Sequence, residues 1–337
     1  MRADHRAPLP RRRVLGSAAS LGLGALLAGC GTDGDDSESA PGAWRFEDDR
    51  GKTARARRTP RRIVAYVGSA AALYDYGVRC TAVFGPSDPV HGRPNPQAGR
   101  LRMKGLTDLG SAWGEFDIER YAALKPELLI SNMLPPPDLW FVPKESAKKI
   151  LALAPGIGIK TSHTTLSHPL RRYEQLAAAL GADVRTQKVK AAKARFKRAE
   201  EELRKAARDR PGLKVMAVTG DTDNMYVAVP GPYCDLVHYR ELGVDLVEGR
   251  KSDKWGFWEF LSWENAGKYH ADLILIDNRE AALTPEDLER KPTWRELPAV
   301  RAGQTMPWAM EERYSYEGYA PVLESLAEGI RKARPLR

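Results

Sequence analysis

Cysteine is nearly missing from this sequence: three occur in 337 residues, at positions 30, 80 and 234. So few cannot staple a scaffold with disulfides, and because Cys80 and Cys234 fall in what read as different lobes, both are expected to be free. Histidine is sparse as well. The five beyond the N-terminal leader, His91, His163, His168, His238 and His270, are scattered, whereas a zinc site gathers three or four ligands. A metal ion held directly by side chains is therefore not expected. Strongly apolar runs of about 20 residues, the length a spanning helix needs, are also lacking. So are the short motifs of common enzymes: no G-x-S-x-G elbow, P-loop or H-E-x-x-H occurs, and "GIGIKT" (156–161) lacks the last glycine of a dinucleotide loop. The inventory argues against an enzyme.

The longest apolar stretch, Val14 to Gly29, is 16 residues rich in Gly, Ala and Ser, preceded by Arg11-Arg12-Arg13. A positive start, a short apolar segment and small residues before a boundary make a secretory signal. Leu27-Ala28-Gly29-Cys30 resembles the bacterial lipobox, in which cleavage before the cysteine precedes its lipidation. Arg11-Arg12-Arg13-Val14-Leu15 resembles a twin-arginine export signal, with Val14 where Phe is commoner, and the export route stays open between Tat and Sec. The segment that follows, "GTDGDDSESAPGA", has too few bulky apolar residues to offset its ordering entropy and reads as a tether. The expected location is extracytoplasmic, lipid-anchored through Cys30 to the outer face of the cell membrane.

The formal net charge of +9 includes five arginines and one aspartate of the leader, so the remainder carries only +5. Charges of both signs are interspersed, which gives no nucleic-acid surface. The chain reads as a monomer with no cofactor of its own.

Beyond the tether, short apolar runs alternate with helical stretches. "WRFEDDRGKTARARR" predicts a hairpin turning at Asp49-Arg50-Gly51. Strands are expected at 62–66, 80–85, 127–131 and 156–160, then in a second set at 214–219, 225–229, 272–277 and 304–309, with helices at Ala70 to Tyr76 and Glu145 to Leu153 among those between them. Strand–helix alternation means parallel sheet with helices on its faces. Between the two sets, Val189, Ala192, Phe196, Ala199, Leu203 and Ala206 step by three and four, one stripe of a helix that Pro211-Gly212 stops. The expected fold is α/β: two Rossmann-like lobes of mostly parallel sheet joined by one long helix, with a ligand cleft between them. The expected boundaries are signal peptide 1–29, tether 30–43, N-terminal lobe 44–183, spine helix 184–210 and C-terminal lobe 211–337.

The two lobes echo each other. "DIERYAALKPELLIS" (117–131) and "SWENAGKYHADLILI" (262–276) align at an offset of 145, pairing Glu119 with Glu264 and Glu127 with Asp272. Asp117 and Ser262 are good N-caps, which places each Glu in a first helical turn. One such Glu ordinarily stabilises its own helix; a matched pair on pseudo-symmetric lobes presents two carboxylates on one side of the molecule.

These segments, with "TPRRIVAYVGSAAALYDYGV", resemble the signatures of the ferric-siderophore, haem and vitamin B12 binding proteins of ABC importers, the periplasmic-binding-protein family with a single helical hinge. The similarity covers about residues 44 to 333. It implies a lipid-anchored receptor that captures a ferric siderophore and hands it to ABC permease subunits, and it leaves haem and corrinoid open, since one Tyr or His could supply an axial ligand to haem. It also implies that Glu119 and Glu264 meet arginines of the permease.

In two-lobed α/β receptors the ligand sits beyond the carboxyl ends of the strands. The loops there are rich in aromatic residues and arginine: Tyr66, Arg93, Trp113 and Trp140 in the first lobe, Trp255, Trp258, Arg279, Trp308, Arg313, Tyr314 and Tyr316 in the second. Such a set suits a bulky, planar, partly anionic ligand, with arginines facing iron-bound oxygens.

Overall fold

The computed structural model describes residues 43–90, 94–250 and 253–336. The leader with Cys30, and Arg93, lie outside the described residues. A hairpin of β1 (Trp44–Glu47) and β2 (Thr53–Ala56) opens the chain, pairing Trp44 with Ala56 and Glu47 with Thr53. Gly51 completes the turn with φ +71°, a conformation only glycine adopts without cost.

The first lobe is a five-stranded sheet of β3 (Ile63–Tyr66), β4 (Ala82–Phe84), β5 (Thr107–Asp108), β6 (Leu128–Met133) and β7 (Gly156–Lys160), in the order β5-β4-β3-β6-β7. All of its pairs are parallel. Such a sheet is covered on both faces, which is why Ile63 to Tyr66 are all buried instead of alternating. Helix α1 (Val67–Asp75) follows β3 without a break, and its Gly-Ser-Ala-Ala-Ala run lets it pack buried nearly all round. Helices α2 (Ile118–Ala123), α3 (Ala147–Leu153) and α4 (Ser167–Ala179) complete the lobe.

Helix α5 (Gln187–Asp209) then runs between the lobes. Its buried residues Val189, Phe196, Ala199, Leu203 and Ala206 form the stripe the spacing predicts, with Ala192 half-buried.

The second sheet comprises β8 (Lys214–Gly220), β9 (Asn224–Ala228), β10 (Asp245–Leu246), β11 (Trp258–Ser262), β12 (Leu273–Asp277) and β13 (Thr305–Trp308). Its order is β11-β9-β8-β12-β13, with β10 also on β8. The β8, β10, β12 and β13 pairings are parallel, while β9 lies antiparallel to both β8 and β11, so this sheet is mixed. Helices α6 (Cys234–Glu241), α7 (Pro285–Glu289), α8 (Pro292–Glu296), α9 (Pro298–Arg301) and α10 (Tyr316–Lys332) surround it. The last packs along α5, joined at the surface by a two-pronged Arg195–Glu324 pair at 2.8 and 2.6 Å.

The sequence echo has a structural basis. Glu127 accepts from the Arg61 and Arg62 amides at 2.7 and 3.0 Å, and Asp272 accepts from the Lys214 amide at 2.7 Å. Each acid thus caps the entry to the first strand of its lobe's sheet, while its own amide donates to Arg62 or Lys214 oxygen. Those bonds hold Glu127 down at a pKa of about 2. Cys80 and Cys234 are buried free thiols, one in each lobe.

The lobes meet in a polar seam. Arg313, on the loop before α10, donates to Asp75 at the end of α1 at 2.7 Å and to Glu312 at 2.5 Å, and Ser315 donates to Asp75 at 2.5 Å. Gly99 makes room for this guanidinium: its φ is +54°, and a β-carbon there would fall 2.7 Å from Arg313 Cδ. Tyr173 of α4 stacks on Tyr314, centroids 6.2 Å apart and planes 6° from parallel. The His163 amide donates to Pro232 oxygen at 2.9 Å.

Candidate functional site

A cavity of about 660 Å3 lies between the lobes, within the usual range for a small-molecule site. Three loops build it. After β6, "LPPPDLWFVPK" (134–144) carries too many prolines to extend the strand, and it turns back so that the Trp140 amide donates to Asn132 oxygen at 2.8 Å and Ser131 donates to Trp140 oxygen at 2.7 Å. Trp113, in the loop after β5, rests on Trp140 and Phe141 at centroid distances of 4.8 and 5.0 Å. It is 65% exposed. The facing wall comes from the loop before β11, where Asp253 accepts from the amides of Trp255 and Phe257, fixing Trp255, Phe257 and Trp258 along the opening.

The floor is a buried hydrogen-bonded group centred on Glu311. One carboxylate oxygen accepts from Tyr66 Oη at 2.5 Å, Gln97 Nε2 at 2.9 Å and Trp140 Nε1 at 3.0 Å; the other accepts from Arg279 at 2.7 Å. Tyr66 and Gln97 belong to the first lobe and Glu311 to the second, so this floor ties the lobes together. Arg279 also forks onto Asp277 at 2.8 to 3.1 Å. Burial opposes its charge, but Asp277 and Glu311 outweigh that and hold it charged. Burial, then Glu311, push the Tyr66 phenol well above its ordinary value.

Of the site residues expected from sequence, Trp113, Trp140, Trp258 and Arg279 line the cavity, as does Trp255. The others do not. Tyr66 lies beneath the wall, stacked 5.7 Å from Phe141. Trp308 is buried on the far side of Trp258 and donates to Asp235 at 2.7 Å. Arg313 and Tyr314 belong to the seam, because a cation or ring drawn into the interior takes the partners there. Tyr316 packs on Phe196 of the spine, centroids 5.5 Å apart. Glu311, Asp277 and Phe141 were not singled out from sequence, although Glu311 stands in the same "MEERYSY" loop as Arg313. Among the described residues no three His, Cys, Asp or Glu side chains are grouped to hold a metal ion, and no helix is long and apolar enough to cross a membrane.

Residues 71–308 match the family model described as periplasmic binding protein. The chain belongs to that family. Among solved structures it is similar to DesE, a ferric-siderophore receptor protein from Streptomyces coelicolor, at 42% identity over 87% of this chain and 100% of that one, with a TM-score of 0.83. The fold is shared with the siderophore periplasmic binding protein of the fuscachelin gene cluster of Thermobifida fusca (21% identity, 81% and 96% covered, TM-score 0.58). It is shared too with the petrobactin-binding protein YclQ of Bacillus subtilis (18%, 86% and 99%, 0.63). Among curated proteins, none matches the chain. In this periplasmic binding protein the two echoed glutamates differ in setting. Glu119 sits in the first turn of α2, capped by Asp117 through the Arg120 amide at 2.8 Å. Glu264 opens a 3-10 turn, Trp263–Lys268, where Ser262 caps no amide and instead accepts from Asn265 at 3.0 Å. Both are exposed, and neither forms an ion pair among the described residues.

Proposed function

We propose that this chain is an extracytoplasmic, lipid-anchored receptor that captures a ferric siderophore in the aromatic cavity and delivers it to an ABC permease. The observation that carries the reading is the cavity itself, roomy and aromatic, in a chain 42% identical to a ferric-siderophore receptor over that protein's whole length. A ferric siderophore is a bulky complex whose metal is already saturated by its chelator, so the receptor needs stacking surface rather than metal ligands. Trp113, Trp140, Trp255 and Trp258 supply that surface. Exposed Glu119 and Glu264 would meet cations of the permease, where charge sets encounter and orientation. Cys30, outside the described residues, would carry the lipid.

Titration of purified protein with ferric hydroxamate, catecholate and carboxylate complexes, followed by Trp fluorescence, tests the reading. At least one is expected to quench at sub-micromolar concentration, with the iron-free chelator weaker. Changing Glu119 and Glu264 together to Ala is expected to leave that titration unchanged while uptake by cells falls. Silence toward every ferric complex, with clear binding of haem or a corrinoid, would transfer the assignment to those ligands.

A further inference from the structure

We infer that this cavity selects ferric complexes of neutral or positive net charge and rejects anionic ones, because Asp277 and Glu311 take up the one arginine on its floor among the described residues. The inference rests on the receptor reading above and narrows the chemistry of its ligand. Arg279 faces the cavity, but its guanidinium is divided between two carboxylates, at 2.8 Å to Asp277 and 2.7 Å to Glu311. An anionic oxygen approaching this arginine also approaches both acids. Among the described residues the walls do not restore a net positive charge. Lys144 is paired with Asp138 at 2.6 Å, and Lys254 stands over the Trp255 ring at 4.1 Å. Glu145 and Asp253, also on the lining, have no cationic partner among the described residues. With the two floor acids counted, carboxylates among the described residues outnumber cations around the ligand space by five to three.

The aromatic walls act in the same direction. A ring presents a negative face that attracts cations and gives nothing to an anion. Trp113, Trp140, Phe141, Trp255 and Trp258 make this the dominant surface the ligand meets. Partial enclosure lowers screening, so each added negative charge on the ligand is expected to cost on the order of tenfold in affinity.

The test uses one linear ferric trishydroxamate in three forms, with its terminal amine free (+1), acetylated (neutral) or succinylated (−1), beside a ferric triscatecholate (−3). Iron coordination is identical in the first three, so differences among them report the terminal group, and the neutral acetylated form separates the effect of acylation from that of charge. The succinylated form is expected to bind about tenfold or more weakly than the amine form, a gap that narrows as salt is raised, and the triscatecholate weakest of all. Glu311→Gln would release Arg279 and is expected to improve the anionic probes relative to the cationic one. Since that change touches the buried floor, Glu145→Lys on the exposed rim provides the same test without it. A flat charge series, or a triscatecholate bound as tightly as the amine form, would overturn the inference while leaving the receptor reading intact. A graded series unchanged in both variants would overturn its assignment to these carboxylates. Failure of every ferric probe to bind would remove the receptor reading itself.

Discussion

Arg279 and Arg313 have almost the same environment, a guanidinium held between two carboxylates, yet one lines the cavity and the other is sealed in the seam. Arg313 is 8% exposed and its partner Asp75 is 238 residues away in the other lobe. Arg279 is itself half-buried against two buried acids, but it opens on a cavity where the rings of Trp113 and Trp255 stand 65% and 52% exposed. The seam uses its polar groups to fix how the lobes meet. The cavity leaves apolar surface uncovered that a free-standing protein would otherwise bury, which is the mark of a binding surface.

The seam should therefore be the costlier place to cut. Arg313→Met removes the cation and strands the Asp75 carboxylate in a buried position, a change expected to cost about 3 to 5 kcal/mol. Urea unfolding of the variant measures it. Adding Asp75→Asn should recover part of the loss, since the penalty comes from the uncompensated charge more than from the missing bond. A loss under about 1 kcal/mol would erase the contrast between the two arginines.

A second buried acid behind the cavity wall gives the comparison a pH dependence. Burial, opposed by the bond from Trp308, lifts Asp235 from 3.8 to about 6. A carboxyl with a raised pKa binds its proton more tightly folded than unfolded, so stability from this group is greatest below about pH 4 and falls as pH rises toward 6. The full effect is on the order of 3 kcal/mol, because each tenfold gain in proton affinity on folding is worth about 1.4 kcal/mol. Asp235→Asn should flatten the stability profile between pH 4 and pH 6, read as thermal midpoints across that window. A profile of unchanged slope would show that other groups carry the dependence.

Much of the scaffold was readable from residue pattern, and the reasons separate what was legible from what was not. Doubly covered strands announce themselves as continuous apolar runs, so "RIVAY", "GIGIK" and "DLILID" lie on β3, β7 and β12. The α5 stripe was readable because period and length agree. Strand β11 was missed because its pattern is inverted: Glu259 is buried and Phe260 is 57% exposed. That inversion holds because Lys268, Tyr269 and the Arg250 amide all reach the Glu259 carboxylate, which lowers its pKa to about 2 against the opposing effect of burial. Strands β5 and β10, two residues each, are too short to show any period. At the site, loop position separated strand ends from strand middles but could not tell which side of a loop faces the ligand. Arg313 and Trp308 turn inward because Asp75 and Asp235 wait there, and neither partner is evident from neighbouring sequence.

The smallest stability change is expected where the binding loss is clearest. Trp113 makes ring contacts to Trp140 and Phe141 and leaves most of its surface open. Trp113→Ala should shift unfolding free energy by no more than about 0.5 kcal/mol, because little that folding buried is lost. If the ring instead completes the wall around a bound ferric complex, its removal should weaken binding about tenfold, the scale at which an exposed aromatic becomes an anchor once a ligand covers it. Trp140→Phe should do more to stability, since its indole N–H donates to Glu311 and its loss leaves a buried carboxylate oxygen with one partner fewer. Fluorescence titration and urea unfolding of the two variants, run side by side, separate the roles. Wild-type affinity in Trp113→Ala would mean that the ring caps its own loop, and the binding surface would then have to be sought deeper, against Trp140 and Trp258.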